Sequence, residues 1–221
     1  RLDPPQRQEM PKGAVVLVLH SVEIPEGVFY GKKVAEAAVN ALSRLDMIGI
    51  NEFTGWGGPD MGVKWVYQLQ PVGDGSAVKR AIQSLTFGDM PDFQPSLELT
   101  FKSLEKAEAG QKLAIIISDG DPQPPSNALL RKFKDAGIPI STVGIGMHGI
   151  TDQSTLQAIA ERTGGRFYNI PPGQVAQVPQ IFFKEAKRVR RSLIWEGNPF
   201  QPAVVGAAAE NFRGVTSVPA I

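Results

Sequence analysis

Two unbroken apolar runs, residues 14–19 (AVVLVL) and 113–117 (LAIII), dominate the hydrophobic pattern of the chain. A strand buried on both faces reads as such a run, rich in β-branched residues, whereas a half-buried strand alternates. Both runs therefore predict central strands. The first stops at His20, and the second breaks into Ser118, Asp119, Gly120, Asp121 and Pro122. In open parallel α/β sheets, ligands bind outside the carboxyl ends of the strands near the point where strand order reverses, so Asp119 is the first residue to ask about function.

The remaining pattern alternates helix and strand. Val34, Ala38, Ala41, Leu42 and Leu45 share one face at helical period, predicting a helix over 32–45. Strands follow at 47–53 and 63–69, joined by TGWGGPDMG, which is too short for a crossover helix and predicts an antiparallel pair at one sheet edge. Ser76 is placed to cap a helix reaching 87, with Val78, Ala81, Ile82 and Leu85 inward, and a further helix over 96–107 buries Leu97, Phe101 and Leu104. Ser126 caps a helix burying Leu129, Leu130 and Phe133. A strand at 138–145, a helix capped near Asp152, a left-handed stop at Gly164 and Gly165, a strand at 166–170 and a last helix over 174–194 complete the series. The expected fold is α/β: a Rossmann-like, doubly wound, mostly parallel six-stranded sheet with one antiparallel edge strand and helices on both faces. Residues 1–12 read as a lead-in, 13–194 as the domain, and 195–221 as a tail or the start of a following domain.

The 221 residues, 42% of them hydrophobic, suffice for one core, and a net charge of +1 gives no overall field towards nucleic acid or membrane. With no cysteine, disulfides, thiolate nucleophiles and Cys-ligated zinc are excluded. No stretch has transmembrane length, and the isolated domain is expected to be monomeric. The absence of an initial Met and the apolar ending suggest an excised segment of a longer protein.

Several spellings of catalytic motifs lack their context. Gly144, Gly146 and Gly149 form GxGxxG after a strand, but not after the first strand of the unit. Gly27, Gly31 and Lys32 fall one residue short of a phosphate loop, with Lys33 where a hydroxyl is required. Asp119 and Asp121 spell a phosphatase-like DxD without partner motifs, and no GxSxG elbow exists. What converges instead is His20, Glu23, Asp92 and Asp119, a candidate hard-metal or zinc-type ligand set, with Asp89, Asp121 and His148 on neighbouring loops. The competing account is that polar residues end strands because the strands end.

The segments IIISDGDP, STVGIG and LQAIAERTGGRFYNI resemble the von Willebrand factor A domain over residues 14–194. That resemblance implies a metal-ion-dependent adhesion site: DxSxS after the first strand, a loop Thr, and an Asp after the fourth strand holding magnesium, with a partner's carboxylate completing the coordination. Here the first motif reads His20, Ser21, Val22, Glu23 and Ile24, the Thr position falls on Pro91 beside Asp92, and only Asp119 matches. The resemblance thus implies a degenerate site. HSVEIPEGVFYGKKVA, GDMPDF and PQIFFKEAKRVRRSLI further resemble the corresponding segment of bacterial, planctomycete-type membrane proteins that carry a glutamine-amidotransferase-like domain.

The expectation is a non-catalytic protein-protein interaction module of a larger, membrane-attached bacterial protein, touching the membrane only through that parent and binding no nucleic acid. Its rim comprises loops 20–31, 88–95, 119–126 and 146–152. One alternative is a site for magnesium, manganese or zinc rebuilt around His20, Glu23 and Asp119, supporting hydrolysis; the other is a structural spacer. Lys184, Lys187, Arg188, Arg190 and Arg191 on the last helix read as a solvated face; Trp56 and Trp65, in or beside the edge hairpin, mark a contact surface if exposed and ordinary edge-strand core if packed.

Overall fold

The computed structural model describes residues 12–20, 27–54, 62–86, 88–147, 149–171 and 174–189. Six strands form one sheet in the order β3-β2-β1-β4-β5-β6: β1 (Gly13–Leu19), β2 (Met47–Thr54), β3 (Gly62–Pro71), β4 (Gln111–Ser118), β5 (Ile140–Ile145) and β6 (Phe167–Ile170). Only β3 runs antiparallel, at the edge beyond β2, as the short glycine-rich connection requires. Both unbroken apolar runs occupy the centre, where β1 and β4 pair in parallel and every β1 residue is buried. The chain turns outward in opposite directions from this pair, which makes the crevice at the carboxyl ends of β1 and β4 the switch point.

Strand alternation divides the core into two layers. Val15, Leu17, Leu19, Ile115 and Ile117 face helices α1 (Gly27–Ala41), α2 (Ser76–Ile82) and α6 (Val178–Ala186). Val16, Val18, Ala114 and Ile116 face α3 (Gln94–Lys106), α4 (Asn127–Asp135) and α5 (Ile150–Thr163).

Several helix ends depart from the sequence expectation. Helix α1 begins before Lys32 and stops at Ala41, so Leu45 lies beyond it and is exposed. Ser76 does not cap α2: Gly75 is the N-cap with φ 79°, and the Asp74 side chain takes the Ser76 amide at 2.9 Å. That helix also ends at Ile82. Asp152 lies in the first turn of α5, behind a Gly149 N-cap. Ser126 caps α4 as expected, its Oγ accepting from the Leu129 amide at 3.2 Å. Of the Gly164–Gly165 pair, only Gly164 is left-handed (φ 79°); Gly165 is needed because a Cβ there would meet the Ile140 carbonyl oxygen at 1.9 Å. The last helix breaks into 3-10 turns, Val175–Gln177 and Lys187–Val189, on either side of α6.

Trp65 is partly buried against the core, while Trp56 lies outside the described residues. The basic face of the last helix is not wholly solvated. Arg188 donates to Glu185 at 2.9 Å and Lys187 sits 4.2 Å from the centroid of the Phe183 ring; Arg190 and Arg191 lie outside the described residues.

Candidate functional site

Register builds the site. Leu19 pairs with Ile117, so the next residues, His20 and Ser118, project from the same face of neighbouring strands. The His20 amide continues the ladder to the Ile117 carbonyl at 3.0 Å. Ser118 Oγ stands 2.9 Å from His20 Nδ1 and accepts from the Gly120 amide at 3.0 Å. The same Nδ1 lies 3.3 Å from Asp119 Oδ1 and 3.9 Å from Asp121 Oδ1. Gly120 permits this turn twice over: its φ is 95°, and a Cβ would come within 2.7 Å of the Asp152 carbonyl oxygen at the start of α5.

On its other nitrogen, His20 faces the loop that follows α2. Asp89 Oδ1 lies 3.9 Å from Nε2, too far for a hydrogen bond, and Nε2 is buried with no hydrogen-bond partner among the described residues. That loop is held on the end of β2 by buried Glu52, which accepts from the Thr86 amide and Thr86 hydroxyl, each at 3.0 Å, and pairs with Lys64 at 3.2 Å. Gly88 lets it lie flat there, since a Cβ would meet the Phe53 carbonyl oxygen at 2.1 Å.

Burial of the Asp119 carboxyl opposes its ionisation, but the hydrogen bond and charge of His20, with hydrogen bonds at Asp121, outweigh it and hold the group at about 2. Asp119 is therefore an anion at any ordinary pH, and it can only accept. Nδ1 of His20 faces this acceptor, and Nε2 faces Asp89 across the ring.

Of the residues singled out in the sequence, the structure brings together His20, Asp119 and Asp121, with Asp89 across the ring. Asp92 lies apart: its Oδ1 accepts from the Gln94 amide at 2.9 Å at the start of α3. Glu23 and His148 lie outside the described residues. The sequence reading did not single out Ser118 or Glu52; the register of β1 on β4 identifies the first, and an acid inside an otherwise apolar strand is the signal for the second.

His20, Asp119 and Asp121 could hold a metal ion, since one ligand atom from each lies within 4.8 Å of the others. The donors do not suit magnesium, which takes oxygen ligands in a strict octahedron. One imidazole nitrogen with two carboxylates suits a borderline ion such as zinc.

A doubly wound sheet with its candidate site at the β1–β4 switch point defines a Rossmann-like α/β domain. The chain belongs to the von Willebrand factor type A domain family, whose model matches residues 15–182. No curated protein sequence matches it. Among solved structures it is similar to a von Willebrand factor type A protein from Catenulispora acidiphila (19% identity, TM-score 0.64), covering 79% of this chain and 42% of that one. It is also similar to the conserved hypothetical protein BatB from Bacteroides thetaiotaomicron (18% identity, TM-score 0.57; 79% and 97% covered). A third is proximal thread matrix protein 1 from the mussel byssus, with a zinc-occupied MIDAS motif (16% identity, TM-score 0.61; 81% and 48% covered). This chain thus spans less than half of the first and third.

Proposed function

We propose that the chain is a non-catalytic protein-interaction module, part of a larger membrane-attached protein, which binds its partner through the loops at the carboxyl edge of the sheet. One observation carries this reading: the acid matching the family's metal-binding Asp, Asp119, is matched internally by His20 at 3.3 Å. An imidazole in this position takes over charge pairing that the family pattern gives to a metal ion. The membrane-attached parent rests on the resemblance of the 20–35, 88–93 and 179–194 segments to bacterial membrane proteins, and no helix among the described residues is long and apolar enough to span a bilayer.

A photoactivatable cross-linker at Asp89, compared with one at Lys132 on exposed α4, tests the module in the native host. Partner adducts from position 89 but not 132 are expected. Adducts from 132 alone would sink the reading.

The three-donor group favours a second reading, a zinc-type ion held by His20, Asp119 and Asp121. Calorimetric titration of EDTA-stripped protein with zinc, manganese and magnesium decides it. Saturable zinc binding lost in Asp121→Asn supports the site, and heat-silent titrations with all three ions exclude it.

A further inference from the structure

Edge strand β3 carries more residues than the strand it pairs with. Ile48 pairs with Gln70 and Ile50 with Tyr67, so β3 sets Gln68 and Leu69 opposite the single residue Gly49. Asn51 then pairs with Trp65, which makes Val66 a second extra residue. Irregularities of this kind bend a strand and re-aim its side chains. Gly49 supplies the room for the result: a Cβ there would stand 3.0 Å from Trp65 Cζ3 and 3.3 Å from the Leu69 Cα, so the indole reaches over the β2 backbone. Between this ring and the end of α3 lies a cleft of about 270 Å³, lined by Met47, Gln68 and Leu69 from the strands and by Ser103, Lys106 and Ala107 from the helix and its C-cap.

The polar part of this lining has one sign. Trp65 and Ser103 are half-buried, Gln68 and Lys106 are exposed, and none of the four side chains has a hydrogen-bond or ion-pair partner among the described residues. All four can donate: the indole N–H and the ammonium do nothing else, and the hydroxyl and amide do either. No carboxylate lines the cleft. The rest of the lining is apolar, and an indole face beside the Met47 thioether favours a flat aromatic body. The volume falls just below the range of about 300–1,000 Å³ that takes a drug-sized ligand, which limits the occupant to a small one.

We propose that the cleft between the β2–β3 pair and the end of α3 binds a small free aromatic carboxylate, its ring against Trp65 and Met47 and its carboxylate at Lys106 and Ser103. Ser103 and Lys106 stand three residues apart, on one face of α3, so hydroxyl and ammonium reach the same anion. The C-terminal end of a helix, equivalent to about half a negative charge, opposes an anion here, and the full charge of Lys106 outweighs it. Ring burial supplies most of the affinity, and the exposed lysine supplies selectivity for the charge. The cleft sits where β2 begins and β3 ends, at the opposite end of the sheet from His20 and Asp119, and is thus separate from the partner surface proposed above.

The test uses the full 221-residue chain, 15N-labelled, titrated with cinnamate and separately with its uncharged analogue cinnamyl alcohol. Cinnamate is expected to give saturable shifts of the Leu69, Ser103, Lys106 and Ala107 amides and of the Trp65 indole N–H, one of three in the chain. The alcohol should bind the same place about fivefold more weakly. Lys106→Gln should weaken cinnamate about fivefold and leave the alcohol unchanged, whereas Lys102→Gln, one turn earlier on α3 and outside the lining, should leave both unchanged. Both lysines are exposed, so neither replacement disturbs the core. Equal affinity for acid and alcohol would reduce the cleft to an apolar crevice and overturn the carboxylate site. Equal weakening by the two lysine variants would show attraction to overall charge and overturn it too, as would the absence of saturable cleft shifts at millimolar cinnamate.

Discussion

Nδ1 of His20 stands 3.3 Å from Oδ1 of Asp119, a contact made where two central strands end side by side. Two helices on one face, one on the other and the whole β2–β3 edge pair intervene in sequence between these residues. The pair therefore forms only when the switch point is assembled, and it reports on the fold at the place where function is expected.

Its contribution depends on pH with a definite sign. Asp119 titrates at about 2 in the folded chain against 3.8 as an ordinary aspartate, so the folded state favours the ionised form. The resulting stabilisation, about 2 kcal/mol, is fully present above the unfolded value and is lost as pH falls from about 4 towards 2. Urea unfolding at pH 5 and pH 2.5 should show this loss in the unaltered protein and a clearly smaller one in Asp119→Asn. Parallel pH slopes would mean that the pair contributes nothing.

How far the sequence reaches can be seen at particular residues. The unbroken runs of β1 and β4 and the short glycine connection of β2–β3 were enough for the sheet, because burial on both faces and loop length are local signals. His20 and Asp119 were legible as a pair once β1 and β4 were neighbours. Asp121 over Asp92 was not, because the choice turns on how the Gly120 turn packs against α5. Glu185 was overlooked for a different reason. Reading Lys184, Lys187 and Arg188 as a solvated face drew attention from the acid between them, although Val178, Phe182, Glu185 and Val189 follow the helical period of the buried stripe.

Glu185 is fully buried and accepts from Ser141 at 2.6 Å and Tyr168 at 2.6 Å, and from Arg188 at 2.9 Å and Arg166 at 3.4 Å. Burial works against its charge, but the hydrogen bonds from Ser141, Tyr168 and Arg188 prevail and hold its pKa below the usual glutamate value. The network fastens α6 to β5 and β6. Glu185→Ala strands the buried Ser141 hydroxyl and the half-buried Tyr168 hydroxyl and should cost about 3–5 kcal/mol in urea unfolding. Glu185→Gln, which keeps the acceptor oxygen, should cost clearly less; an equal cost would mean that charge rather than hydrogen bonding does the fastening.

The two glycines after α5 should respond differently to alanine. Gly164→Ala places a side chain in the left-handed region and should cost about 1–2 kcal/mol. Gly165→Ala drives a methyl into the Ile140 carbonyl of the neighbouring strand, which can be relieved only by moving β5 or the turn. Its cost should be at or above about 3 kcal/mol, the upper end of overpacking. Thermal melts of the two single variants check the order, and a Gly165→Ala protein as stable as Gly164→Ala would contradict the close approach.

Replacing the histidine itself separates charge from shape. His20→Asp puts a carboxylate beside buried Asp119 and near Asp121, where like charges repel and the imidazole that held Asp119 ionised is gone. In EDTA this variant should be destabilised by about 2–4 kcal/mol, near the loss expected when one partner of a buried pair is removed. Its donors would then all be oxygens, the set that magnesium takes, so millimolar magnesium should restore part of the lost stability to the variant and none to the unaltered chain. Differential scanning calorimetry with and without the ion measures both effects. Recovery confined to the variant would show that histidine occupies the place of a metal ion; the same magnesium response in both proteins would show that it does not.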